Sequence, residues 1–152
     1  MTRRKVVAED LFQLKFVSDA QISPDHHHVV FVVKTIEVEK NRYFSHLWRV
    51  NADGFPPEAR QFTFGEVTDA SPRWNANDGH RVLAFLRTED KRTQIWVMHA
   101  DGGEARPLTR MDEGAFGSLS WSPDDRRLAF TFARTPDEWT RSARDEREKS
   151  GR

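Results

Sequence analysis

Short apolar runs alternate along this chain with clusters of Pro, Asn, Asp, Ser and Gly. Val29-Val30-Phe31-Val32-Val33, Val82-Leu83-Ala84-Phe85-Leu86 and Leu128-Ala129-Phe130-Thr131-Phe132 each follow a turn element. Those elements are Ile22-Ser23-Pro24-Asp25, Trp74-Asn75-Ala76-Asn77-Asp78-Gly79 and Trp121-Ser122-Pro123-Asp124-Asp125. β-Branched and aromatic runs bounded by such residues predict strands joined by turns. The runs are apolar throughout rather than at alternate positions, so both faces of these strands are predicted to be buried.

The first two copies continue alike. His46-Leu47-Trp48-Arg49-Val50 and Gln94-Ile95-Trp96-Val97-Met98 lead into Ala52-Asp53-Gly54 and Ala100-Asp101-Gly102, then into Arg60-Gln61-Phe62-Thr63 and Arg106-Pro107-Leu108-Thr109. Both Asp-Gly pairs are predicted to supply the positive φ of a tight hairpin. Ser23, Asn75 and Ser122 are spaced by 52 and then 47 residues, and a charged loop tip over 37–44 accounts for the longer first unit. A period of about 40–50 residues with several strands per unit is the signature of a β-propeller. The expected fold is therefore all-β: two complete four-stranded blades (19–64 and 65–112) and the inner half of a third (113–133). Trp48, Trp74, Trp96 and Trp121 recur at matching positions and are assigned to packing between blades.

The two ends depart from the pattern. Val7, Leu11 and Leu14 stand at i, i+4 and i+7, which predicts a short amphipathic helix ending near Ser18-Asp19, within an arm over 1–18. Its stripe packs either on the propeller rim or on a second domain, and Leu11, Phe12 and Leu14 are the candidate docking residues. From Arg134 to Arg152, 11 of 19 residues are charged. Thr135-Pro136-Asp137-Glu138 has the form of a capping box, and Asp137/Arg141, Arg144/Glu148, Asp145/Lys149 and Glu148/Arg152 are i, i+4 pairs of opposite sign. A solvated helix fraying into a mobile loop is expected over 134–152.

Propeller blades share their core with their neighbours, and closure takes about four or more of them. Half a blade leaves strand-edge donors and acceptors unpaired, at about 1–3 kcal/mol each if buried. The repeat therefore carries the expectation that further polypeptide completes this one, and that residues 1–152 alone are not a stable monomer.

Composition narrows the function classes. The 24 basic and 24 acidic residues cancel and form no basic stripe, which argues against nucleic acid as partner. Cys is absent, so disulfides and thiolate metal sites are excluded. No run approaches the ~18 apolar residues of a membrane span, and Met1 to Val7 lacks the apolar core of a secretory signal. A cytoplasmic setting without membrane contact is expected; a homo-oligomer stays open.

Candidate chemistry is sparse. Phe116-Gly117-Ser118-Leu119-Ser120 lacks the second glycine of a nucleophile elbow, and neither a P-loop nor a dinucleotide fingerprint occurs. His26-His27-His28 stands where the other copies read Gly79-His80-Arg81 and Asp125-Arg126-Arg127, so these are turn residues rather than metal ligands. His46, His80 and His99 lie in separate elements. Asp19, Asp25, Asp69, Asp78 and Asp124 recur near blade starts and turns, as turn-capping side chains do. Gly114-Ala115-Phe116-Gly117 is read as small residues suited to a narrow propeller centre. No catalytic, cofactor-binding or metal-binding residue is assigned, and no cofactor is implied.

The run Phe16 to Asp25 followed by Val29-Val30-Phe31-Val32 resembles the start of bacterial prolyl oligopeptidase-family serine peptidases, particularly the acylaminoacyl-peptidase branch. Asn41 to Trp48, Gln61-Phe62-Thr63-Phe64-Gly65 and Ser71-Pro72-Arg73-Trp74 extend the resemblance, which reaches about Ala133. It implies a propeller of seven or eight blades covering a C-terminal α/β-hydrolase domain that carries Ser, Asp and His. The propeller would admit only short, unfolded or N-acylated peptides to a nucleophile that forms an acyl-enzyme. It also implies that the segment before the first blade contacts the hydrolase domain, and none of the catalytic residues maps here. A TolB-like or WD-type propeller acting as a protein-binding scaffold is the alternative.

Overall fold

The computed structural model describes residues 5, 7–53, 58–76 and 81–150. Ten strands follow one another in three units. The first holds β1 (Phe16–Ile22), β2 (His28–Glu37), β3 (Arg42–Asn51) and β4 (Arg60–Gln61). The second holds β5 (Thr68–Trp74), β6 (Val82–Glu89), β7 (Arg92–His99) and β8 (Arg106–Pro107). The third holds β9 (Ala115–Trp121) and β10 (Leu128–Ala133), followed by helix α1 (Arg141–Ser150). Within each unit the strands are antiparallel neighbours in chain order. A single parallel bridge, Ser45 to Thr68, links the first two units. These are blades of four, four and two strands, and the sheet is not closed.

The turns repeat atom by atom. The Asp25 carboxylate accepts the Ser23 hydroxyl (2.5 Å) and the His27 N–H (3.0 Å). Asp124 repeats this with Ser122 Oγ (2.6 Å) and Arg126 N (3.1 Å). Hydroxyl and amide donors both favour the charged form, so Asp25 titrates near 2 and Asp124 is also lowered. Between β6 and β7, Asp90 (φ 47°) and Lys91 (φ 64°) form a two-residue hairpin of the primed kind, whose twist matches that of the strands. Gly102 has the positive φ expected of it (102°), whereas Gly54 lies outside the described residues.

Two apolar layers hold the blades together. Val30, Val32 and Leu47 of the first blade pack on Leu83, Phe85 and Met98 of the second. Ala84, Leu86, Ile95 and Val97, on the opposite face of the second blade, pack on Phe116 and Leu119 of the third. Consecutive residues Leu83 to Leu86 thus serve two interfaces, which is why their run is apolar throughout. Trp74 and Trp121 also stitch the innermost strands: Trp121 Nε1 donates to the Arg73 carbonyl at 3.0 Å, and Trp74 Nε1 donates to that of Gln21 at 3.4 Å. Ile22 stands at their place in the first blade and is exposed.

Several local expectations are corrected. The N-terminal helix is a 3₁₀ turn over Ala8–Gln13, because Leu14 is already extended and Phe16 onward is engaged in the ladder to Lys34. Strand pairing overrides the helical period there. The loop tip read over 37–44 shrinks to 38–41; Tyr43 and Phe44 belong to β3, opposite Ile36 and Thr35. In the tail the α-helix is capped by Thr140, whose Oγ1 accepts the Ala143 N–H at 3.3 Å, and not by Thr135. Thr135-Pro136 precede only a single turn at Asp137–Trp139. Asp137 pairs with Arg134 at 3.0 Å instead of Arg141, while Arg147 lies over the Trp139 ring at 5.4 Å. Gly114 is small because a Cβ there would meet the Phe132 ring at 2.2 Å, and its φ is 112°.

Candidate functional site

The residues singled out for docking stand together on the surface. Leu11 and Phe12 lie in the 3₁₀ turn and Leu14 just beyond it, 55%, 48% and 45% exposed. Val7, Phe16 and Val17 are exposed beside them in sequence. The Asp10 carboxylate accepts the Val7 N–H at 3.0 Å and fixes the start of the turn. Lys15 Nζ lies 5.4 Å from the Trp48 ring centre and ties the arm to the first blade. The arm therefore presents an apolar stripe outward rather than burying all of it on the rim.

The polar residues cluster between the blades. Arg73 Nη1 reaches both Asp19 oxygens at 2.9 and 3.0 Å, across the inner strands of blades one and two. At the turn end, His27 Nδ1 meets Asp53 at 2.8 Å, and Arg81 contacts Asp25 (3.6 Å) and Asp101 (2.9 Å). Hydrogen bonding to Asp53 raises the His27 pKa. At the hairpin end an open cleft of about 640 Å³ separates blades one and two, lined by Arg42, Tyr43, Glu66, Glu89 and Lys91 among others. Beside it, between blades two and three, a smaller cavity of about 200 Å³ is lined by Arg92, Glu113, Arg141 and Arg144.

One buried pair was not legible as such. Asp69, read as a turn cap, is fully buried in β5 and takes Arg87 Nε at 2.7 Å and Nη2 at 2.9 Å. The guanidinium lies over Trp96 (4.8 Å) and Phe85 (5.3 Å). At the same register blade one has Val17 opposite Val33, and blade three has Phe116 opposite Phe132. The signal available was Asp and Arg at positions where both other copies are apolar.

Among the described residues, the serines and histidines of the turns and strands are held in local hydrogen bonds. Ser23 and Ser122 are engaged in their turns, His46 Nε2 donates to the Gly65 carbonyl at 2.9 Å, and His28 Nδ1 contacts Asn51 at 3.2 Å. His80 and Asp78 lie outside the described residues. Among the described residues no group of three His, Cys, Asp or Glu side chains converges to hold a metal ion, and no helix is long and apolar enough to cross a membrane.

The blades define the class: this is part of a β-propeller. No known family profile matches the chain. It is 33% identical over 134 residues to an uncharacterized peptidase of Bacillus subtilis, YuxL, covering 86% of this chain and 19% of that protein. It is also 36% identical over 130 residues to dipeptidyl-peptidase 5 of Porphyromonas gingivalis, covering 86% and 18%. Among solved structures it superposes on an acylaminoacyl peptidase of Pyrococcus horikoshii with a TM-score of 0.63 at 23% identity, covering 85% of this chain and 19% of that one. The propeller domain of the Trilobed protease from Pyrococcus furiosus gives 0.58 at 21%, covering 82% and 37%. The chain is thus similar in sequence to part of proteins named peptidases, and in fold to a peptidase propeller. The chain spans about a fifth of the length of the relatives it matches.

Proposed function

We propose that these blades form part of the propeller that gates a serine peptidase acting on short or N-acylated peptides. The observation that carries the reading is the 33% identity to a peptidase, spread over 86% of the chain. The same breadth of match disfavours a TolB-like or WD-type scaffold. In this reading the chemistry belongs to a Ser-His-Asp triad in a C-terminal α/β-hydrolase domain of the parent polypeptide, which also supplies the remaining blades. The three blades contribute shape and charge at the approach to that triad. Leu11, Phe12 and Leu14 dock the arm on the hydrolase domain, and the parent works in the cytoplasm.

Labelling of the parent protein with a fluorophosphonate probe, paired with its intact mass, tests the proposal. A parent several times longer than 152 residues that takes up one label is the expected result. A parent of propeller size that takes up none sinks it.

A further inference from the structure

Blade two departs from its own repeat at one register, and the departure faces a cavity. Asp69 and Arg87 stand opposite each other where blade one has Val17 and Val33 and blade three has Phe116 and Phe132. An apolar pair therefore suffices for the fold there, and replacing a buried ion pair with apolar residues is often neutral or stabilising. Breaks in a local rule of this kind mark side chains that serve something besides packing. Here the pair holds one guanidinium in a fixed attitude. Fully buried Asp69 takes Nε and Nη2, and the Trp96 ring centre lies 4.8 Å from the guanidinium carbon. Nη1 has no hydrogen-bond partner among the described residues, and Arg87, 11% exposed, lines a cavity of about 300 Å³.

The cavity lies along the β6–β7 hairpin, where Arg87 stands opposite Gln94 and Glu89 opposite Arg92. Gln94 is committed to the chain after β8. Its Oε1 accepts the Thr109 hydroxyl (2.8 Å) and the Met111 N–H (3.0 Å), and its Nε2 donates to the Met111 carbonyl (2.6 Å). Glu89 and Arg92 are exposed and, among the described residues, form no ion pair although they are cross-strand neighbours. Asp90 and Arg141 complete the charged lining. With Arg87 balanced by Asp69, the cations Arg92 and Arg141 match the anions Glu89 and Asp90. A lining that is neutral yet offers groups of both signs complements a zwitterion better than a bare anion or cation. The volume stands at the small end of the roughly 300–1,000 Å³ of ligand pockets.

We infer that this cavity of blade two binds a free α-amino acid with an apolar side chain. The ligand carboxylate meets the outward Nη1 of Arg87 and the Arg92 guanidinium, through the charge-assisted bonds that a guanidinium forms with carboxylates. Its ammonium meets Glu89, and its side chain lies against Trp96, which lines the same cavity. Asp69 holds the Arg87 fork in place beforehand, so little rotamer freedom is lost on binding. The site is separate from any hydrolytic step and does not depend on the peptidase reading.

Equilibrium dialysis of the intact parent protein against radiolabelled L-leucine tests it. N-acetyl-L-leucine, which lacks the ammonium, and L-leucinamide, which lacks the carboxylate, serve as competitors. Saturable leucine binding is expected, with both competitors weaker than leucine by about ten-fold or more. Arg92→Gln and Glu89→Gln, both at exposed positions, should each weaken leucine binding about ten-fold, and Asp69→Leu combined with Arg87→Met should abolish it. No saturable binding, or binding that all these variants leave unchanged, overturns the proposal; the latter places leucine at another site of the parent. N-acetyl-L-leucine competing as well as leucine also overturns it, by showing a plain anion site. A loss confined to the double variant, with Arg92→Gln and Glu89→Gln at full affinity, overturns it too, since that pattern marks a general loosening of blade two.

Discussion

Phe85 and Phe130 occupy one position of one repeat, yet the first is fully buried and the second is 47% exposed. Both sit in strands of similar composition, after similar turns, and both are preceded by alanine. What separates them is the neighbourhood: β6 has β5 and β7 on its edges and a blade on each face, whereas β10 has β9 on one edge and one blade on one face. Burial here is a property of the blade stack and not of the strand. That is the physics of a repeat protein, in which each unit borrows half of its core from the next.

The comparison can be broken by substitution. The largest effect is expected at Phe85→Ala, which leaves a cavity between blades one and two and costs about 3–5 kcal/mol. Phe130→Ala removes a half-solvated ring and should cost about 1 kcal/mol. Chemical denaturation of the two variants measures the gap, and equal losses would show that the third blade is as well packed as the second.

A similar loss is expected where blade two differs from both neighbours. Asp69→Ala leaves the Arg87 guanidinium, 11% exposed, without its carboxylate, at a cost of about 3–5 kcal/mol. Replacing both partners, Asp69→Leu with Arg87→Met, should restore stability to within about 1 kcal/mol of the parent, since neighbouring blades fill the register with apolar pairs. A double variant as unstable as the single one would show that the blade needs the ion pair itself. The double-mutant cycle reads this directly.

The smallest effect lies in the turns. Asp25 is held near 2, below its usual 3.8, so its contribution is complete above about 4 and is lost as pH falls toward 2. Asp25→Asn should flatten that acid limb of the stability profile. His27 has the opposite sense: its pKa is raised by Asp53, so its contribution is present in acid and disappears as pH rises through the raised value. An acid limb unchanged by Asp25→Asn would place the sensitivity elsewhere, with Asp124 of the third blade the next residue to change.

Much of the fold was legible because the repeat states it three times. Ser-Pro-Asp and its variants locate the turns, the runs locate the strands, and their lack of alternation announces burial on both faces. The tail was read as helical from its charge pattern, but its cap was misplaced by five residues, from Thr135 to Thr140. A capping box is a local motif that cannot report where the ladder of β10 releases the chain. The candidate site was legible only as an apolar stripe at Leu11, Phe12 and Leu14. Its outward direction required coordinates, because periodicity says that a stripe exists and not what it faces.

By itself the sequence determined the propeller architecture and the number of strands in each blade. These follow from local chemistry: turn residues that accept positive φ, β-branched runs, and the period of the repeat. Only the tertiary structure decided that Asp69 is buried against Arg87, that Trp121 bonds to the carbonyl of Arg73, and that Phe130 is half bare. Each of those depends on what a neighbouring strand or blade places opposite a residue, and distances across a stack are not encoded in the spacing along it.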